Sequence, residues 1–276
     1  SGPPASGNPF RTMTPGAVAI IQARSGSSRL PGKVLKPLAG QPMIWHIVQR
    51  ARSCEQVDRV VVATSVEPSD DALASFCNEA GIDCHRGSLA NVLSRYLAVL
   101  EQYDYPYFVR ITGDCPLIHP PFIDRQIQAL IAHDADLVRC DAPSMLLEGQ
   151  GACSTRSLRR VAQSSDHPDD QEHVGARYYA EHPEAFRTVG LQLPPHLQDS
   201  RWRLTVDEVA DYQMMATLYE ALYQGQPIPL ESAVDYLQRH PEVAALNQRV
   251  EHSAINQELA SRRAGQQPPL VGTVPW

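Results

Sequence analysis

No apolar run in the sequence approaches the roughly 20 residues that a bilayer-spanning helix needs, and the first residues lack the apolar core of a signal peptide. The expectation is a soluble, cytoplasmic protein with no membrane partner. The 6 cysteines, Cys54, Cys77, Cys84, Cys115, Cys140 and Cys153, include no Cys-x-x-Cys pair and no His/Cys group at zinc-ligand spacing. Reduced, mostly buried thiols are expected, because 276 residues can form a core without disulfide staples. Positive charge is also short: 24 Lys and Arg against 31 Asp and Glu leave a net charge of -7. That argues against a nucleic-acid partner, since a phosphate backbone calls for a basic face. No internal repeat and no Walker-type loop spacing is present.

Cations gather in one place. Residues 17–23 form a short apolar run with β-branched members, the pattern of a buried strand. It gives way to Arg24-Ser25-Gly26-Ser27-Ser28-Arg29-Leu30-Pro31-Gly32-Lys33, a loop of small residues with three cations. Glycines allow amide N–H groups to approach an anion, and guanidinium and ammonium groups neutralise it, so the loop can cradle phosphates. A merely solvated connection is the competing reading; replacing Arg29 or Lys33 should leave the fold intact and weaken triphosphate binding if the loop is a cradle, and leave nucleotide affinity unchanged if it is a mere connection. Pro42 then opens a run with Met43, Ile44, Ile47 and Val48 at helical spacing, giving the order strand, cationic loop, helix.

Further along, the pattern predicts strands over 58–65, 82–85 and 107–112 and helices over 70–79 and 89–100. Alternating strands and helices predict an α/β fold, a mostly parallel, Rossmann-like sheet with helices on both faces. Ligands of such sheets bind beyond the carboxyl ends of the strands, where Thr64, Ser65, Arg86, Gly87, Ser88, Gly113 and Asp114 stand with the loop. Past Pro120 come a helix over 123–132, a strand over 136–140, an irregular stretch to Cys153, helices over 158–163 and 171–181, strands over 187–193 and 203–206, and a helix over 207–222. We therefore expect a disordered leader or expression remnant over 1–16 and a single domain over 17–240. Within it, about 141–200 forms a smaller mixed α/β lid or dimerisation region, and 241–276 is a C-terminal extension ending in a Pro-containing tail.

Asp114 and Asp207 each follow an expected strand, with Asp211 one helical turn after the latter. Two carboxylates converging on phosphates suit a hard divalent cation. Alternatively Asp207 caps the helix that follows it. His167 and His173 are either bases or hydrogen-bonded structural residues, the latter reading coming first for His167. Arg201, Trp202 and Arg203 either grip an anionic acceptor or pack with an ion pair.

The string from Ile21 to Leu35 resembles the opening signature of the spore-coat-polysaccharide type of cytidylyltransferase, related to enzymes that activate acylneuraminate and ketodeoxyoctonate. Residues 110–118 and 203–207 are similar to further signatures of that family. The resemblance implies a nucleotide-diphospho-sugar transferase-like fold, a homodimer, and transfer of CMP from CTP to a small anionic acceptor, an acidic sugar or a phosphate or phosphonate. It places Gln22, Ala23, Arg24, Ser25, Gly26, Ser27, Ser28, Arg29, Lys33, Arg86, Gly87, Ser88, Asn91, Arg95, Thr112, Gly113 and Asp114 near the nucleotide, with Arg24, Arg29 and Lys33 on its phosphates. Asp114 and Asp207 would hold magnesium. Asn91 stands where an acid is usual, and Gln171 where an arginine is usual. Glu148, Glu172, His173, Arg201 and Arg203 fall on the acceptor side, where the match is patchy. The rival readings are a metal-dependent nucleotide-sugar glycosyltransferase and a non-catalytic nucleotide-binding module.

Overall fold

The computed structural model describes residues 16–199, 201–248, 250 and 268–276. The expectations for residues 1–15, and for 251–267 within the C-terminal extension, lie outside these.

β1 (Ala17–Gln22) is the axis of an eight-stranded sheet. Its first five residues are buried because both faces are covered, and each isoleucine contributes about 1.5–3 kcal/mol by leaving water. A 3-10 turn over Lys33–Leu35 and a small hairpin of β2 (Pro37–Leu38) and β3 (Gln41–Pro42) lead into α1 (Met43–Arg52). β4 (Val57–Ser65) runs parallel to β1, and β5 (Asp83–Gly87) parallel to β4. α2 (Asp71–Glu79) and α3 (Val92–Tyr103) are the crossovers around them. β6 (Tyr107–Thr112) lies parallel to β1 on its other side, with Ile20 opposite Arg110 and Gln22 opposite Thr112.

After α4 (Pro120–His133), β7 (Leu137–Cys140) joins the sheet, followed by β8 (Gln150–Ser154), its one antiparallel member among the described strands. α5 (Thr155–Ser164), α6 (Pro168–Glu172) and α7 (Ala176–Glu181) precede β9 (Thr188–Leu191). α8 (Val209–Leu222), α9 (Leu230–Arg239), α10 (Pro241–Ala244) and β10 (Leu270–Val274) complete the described chain. The strand order is β10-β9-β7-β8-β6-β1-β4-β5. Ala17, Ala19 and Ile21 face a core built with α1, α4 and α8, whereas Val18 and Ile20 face the layer of α3 and α5. No described helix is long and apolar enough to cross a membrane.

The structure corrects several expectations. The stretch expected to be irregular up to Cys153 contains β8, where Gly151 within it and Gly149 just before it hide the strand character. Residues 203–206 form no strand; Val206 N–H makes a single bond to Asp114 O at 2.8 Å. The helix expected over 171–181 breaks between α6 and α7, where Val174 and Gly175 take φ of 55° and 77°. The tail holds β10, which extends the sheet beside β9. All six cysteines are free.

Candidate active site

Beyond the carboxyl ends of β1 and β6 opens a cleft of about 640 Å³. Its lining includes Gln22, Ala23, Arg24, Ser27, Ser28, Arg29, Lys33, Arg95, Thr112, Gly113, Asp114 and Asp207, and on the far wall Gln171, Glu172 and His173. The β1 and β6 ends touch because residue 113 has no side chain: a Cβ there would lie 2.9 Å from Ala23 Cβ and from Gln22 O, and Gly113 N–H donates to that oxygen at 2.8 Å.

Lys33 is the centre of the floor. Its ammonium donates to Asp114 Oδ2 at 3.2 Å, Asp207 Oδ1 at 2.9 Å and Val206 O at 2.8 Å, and its side chain is only 12% exposed. Burial alone lowers a lysine pKa, but the charges of Asp114 and Asp207 outweigh it and hold Lys33 above its ordinary value. Burial likewise raises Asp114, and the neighbouring ammonium with hydrogen bonds from Thr112 overcomes it, leaving that carboxyl below the usual range. The expectation that this end of the loop is merely solvated does not hold for Lys33. It holds better for Arg29, whose half-exposed guanidinium lies 3.5 Å from Asp207 and 3.4 Å from Glu208.

Asp207 is not a helix cap. Glu208 caps α8, in a reciprocal box with Asp211. The buried Asp211 accepts from the N–H groups of Asp207 and Glu208, both at 3.0 Å, and from Arg203 Nε at 3.2 Å. Asn247 Nδ2 bonds Asp211 at 2.9 Å and Arg203 O at 3.0 Å. Arg203 also pairs with Asp207 Oδ2. It therefore braces Asp207 from behind instead of facing the cleft.

The other nominated residues lie around the cleft's edge or behind it. Ser25 turns its N–H away from the cleft to Asp70 Oδ1 at 2.6 Å, and Gly26 has open space around it. Thr64 and Ser65 are fully buried beneath the loop. Arg86 donates to Ser65 O at 2.9 Å and Glu67 O at 3.1 Å and pairs with Asp71, and Gly87 O accepts from Val66 N–H. Ser88 accepts from Asn91 N–H, and Asn91 caps α3 by accepting from Ser94 N–H at 2.8 Å. Asparagine caps as well as aspartate, so the neutral residue serves this helix fully. Glu148 lies beside a separate small cavity with Cys115 and Gln150. Arg201 pairs with Asp199 at 2.5 Å and, with Trp202 and Arg203, lines a second cavity of about 230 Å³. His167 caps α6 through Nδ1, which accepts from Asp169 N–H at 3.2 Å. His173, by contrast, reaches the cleft, and burial, with help from Arg110, lowers its pKa.

Sequence reasoning passed over two buried acids. Asp70 receives the N–H groups of Ser25 and Ser65 and the Ser65 hydroxyl, tying the loop to the end of β4. Burial alone would raise its pKa, but these donors bring it below the ordinary value. Asp170 receives Ser165 Oγ at 2.6 Å, Arg177 at 2.9 Å and Tyr178 N–H at 2.8 Å, knotting α5, α6 and α7 into the wall that carries Glu172 and His173.

A cytidylyltransferase family model matches residues 18–249. The chain is 33% identical over 231 residues to the spore coat polysaccharide biosynthesis protein SpsF of Bacillus subtilis, covering 82% of this chain and 95% of that one. It is 36% identical over 131 residues to the 3-deoxy-manno-octulosonate cytidylyltransferase of Aeromonas salmonicida, covering 46% of this chain and 50% of the other. Among solved structures, a cytidylyltransferase from Leptospira borgpetersenii superposes with a TM-score of 0.76 at 25% identity, over 86% of this chain and 100% of that one. A sheet with its cationic loop and two acids at one edge, together with a family match spanning most of its length, makes this chain a member of the cytidylyltransferase family, a nucleotidyltransferase.

Proposed function

We propose that this cytidylyltransferase transfers CMP from CTP to an anionic acceptor, releasing pyrophosphate, with magnesium as its metal. The observation that carries the reading is the convergence of Asp114 and Asp207 on a single cation, Lys33 Nζ, on the floor of a cleft rimmed by Arg24 and Arg29. Because both carboxylates already share one cation, their donor set fits a magnesium ion, which binds through one or two carboxylates and completes its shell with phosphate oxygens and water. Among the described residues no group of three or more His, Cys, Asp or Glu could hold a metal unaided. Asp114 and Asp207 would therefore hold the ion together with the substrate. When bound, it supplies charge neutralisation on the phosphates.

The chain's own residues do the rest. Arg24, Arg29 and Lys33 bind the triphosphate oxygens, and Asp70, by fixing Ser25, keeps the loop in the shape that presents those cations. Asp211 and Arg203 orient Asp207. An acceptor oxygen held in line with the α-phosphorus forms the new P–O bond as the bond to the β-phosphate oxygen breaks, and Lys33 and the arginines stabilise the charge leaving with pyrophosphate. His173, whose pKa burial lowers, stands on the acceptor wall where it can take the acceptor's proton at an imidazole nitrogen. The SpsF relative's role in polysaccharide biosynthesis favours a sugar acceptor, and the 3-deoxy-manno-octulosonate cytidylyltransferase relative favours an acidic one.

The test is pyrophosphate release from CTP with a panel of acidic sugars, sugar phosphates and phosphonates, against magnesium concentration. Calorimetric titration with CTP, UTP, ATP and GTP accompanies it. Tighter binding of a purine nucleotide, or no pyrophosphate with any acceptor, would overturn the reading.

A further inference from the structure

Arg110 lies two residues before Thr112 on β6, on the same sheet face as Gln22. Its Nε donates to Gln22 Oε1 at 3.0 Å, and Gln22 lines the cleft, so the guanidinium stands directly behind that lining residue, next to the cleft. Tyr96 steadies the pair from the other side, its hydroxyl donating to Gln22 Oε1 at 3.2 Å. No carboxylate among the described residues pairs with Arg110. A half-buried guanidinium without a counter-ion has lost hydration that hydrogen bonds to neutral partners offset only in part.

The surroundings are open on one side. β8 places Gly151 opposite Arg110, and a Cβ built on Gly151 would have nothing within 4 Å. His173 lies near enough for the Arg110 charge to disfavour its protonated form. The other groups on this flank of the cleft are Glu172 and the neutral Gln171. Behind the far wall, Arg177 is already matched by Asp170 and Glu181.

We propose that Arg110 receives the acid group of the acceptor, a carboxylate or phosphate oxyanion, over the bare strand left by Gly151. The assignment rests on reading the cleft as the seat of CTP and acceptor. It also explains how an acceptor wall with Gln171 in place of a cation can still take an anion: the positive charge comes from the sheet beneath.

The test reads CTP affinity first, by calorimetry on the wild-type protein; failure to bind would overturn the proposed function and this inference with it. The wild type, saturated with magnesium and a non-hydrolysable CTP analogue, is then titrated with pyruvate in one arm and inorganic phosphate in the other. The signal is the 15Nε resonance of Arg110, assigned by its absence in Arg110→Gln. A saturable shift in one arm is expected and identifies the acid group. Gly151→Val, which builds into the open side, should weaken that binding by about tenfold while CTP affinity, which also reports folding, stays within about twofold. No shift in either arm, with CTP bound normally, overturns the inference alone. A loss of CTP affinity of about tenfold in Arg110→Gln would assign the residue to the nucleotide and overturn it too.

Discussion

Asp70 and Asp170 stand one hundred positions apart and do the same thing by the same local device. Each is the last residue of a Ser-x-x-Pro-x-Asp stretch, at 65–70 and 165–170. In each, the serine hydroxyl donates to the aspartate and accepts an N–H two residues on, at 3.2 Å in one and 3.3 Å in the other. Both aspartates are fully buried. They differ in what else they hold. Asp70 reaches Ser25, 45 residues away, and so welds the cationic loop to a neighbouring strand. The hydrogen bonds that Asp170 receives come from residues no more than 8 positions away, so the acceptor wall is a self-contained knot resting on the sheet. A floor tied by long-range bonds tolerates little change, whereas a locally closed wall can be altered as a unit. This fits a loop side that matches the family's signature closely and a wall, proposed to take the acceptor, that matches it only patchily.

The largest effect expected is on turnover. Asp114→Asn and Asp207→Asn should each lower pyrophosphate release by about 100-fold or more, and the double variant should lose little beyond the worse single one, since the acids serve one cation. Because Asp207 pairs with Lys33 and Arg203 and caps nothing, Asp207→Asn should also lower the thermal midpoint. A magnesium-saturable, near-wild-type Asp207→Asn enzyme is the result that removes the paired-acid floor.

The comparison itself is tested by Asp70→Asn against Asp170→Asn. Each loses charge-assisted bonds worth on the order of 1.5–3 kcal/mol, read by urea unfolding. Only the Asp70 variant should also lose CTP affinity, read by calorimetry. Equal loss of CTP affinity in both would show that wall and floor are one unit.

Acid should reach the floor late. Asp70 and Asp114 titrate below the ordinary aspartate value of 3.8 in the folded protein. Their stabilisation is therefore complete above that value and is lost as pH falls through their depressed folded values. Lys33 has the opposite sense: raised above 10.5, it stabilises below that pH and stops doing so as pH climbs through its folded value. Urea unfolding across pH should show both limbs, and Asp70→Asn should flatten the acid one. The smallest change expected is for Asn91→Asp, which exchanges equivalent caps and should shift stability by no more than about 0.5 kcal/mol.

The central strands were readable because burial on both faces writes an unbroken apolar run, as in 17–21 and 60–63. β8 was not, since Gly151 interrupts its pattern and Gly149 precedes it, and neither was β10, a five-residue edge strand among prolines. The cleft's cations and Asp114 could be nominated from position after a strand, and Asp207 from an expected strand over 203–206 that the structure does not form. What they do to one another could not: Lys33 was read as a ligand for phosphate, and its placement between two aspartates depends on 173 intervening residues folding back. Asp70 and Asp170 look like ordinary surface acids near a helix start, and the visible trace of their burial was the repeated serine, proline and aspartate spacing.

Lys33 has one more consequence. A counter-ion carried on a side chain meets its partners at a local concentration set by its own stem, independent of the surroundings. Asp114 and Asp207 would repel each other without it, so the chain brings its own neutralising charge and folds without borrowing an ion, unlike small domains that need metal to fold. The same ammonium guards the acids against stray cations, because any newcomer must first evict it. A triphosphate offers Lys33 somewhere else to go, and in that sense the substrate carries the key to the site it fills.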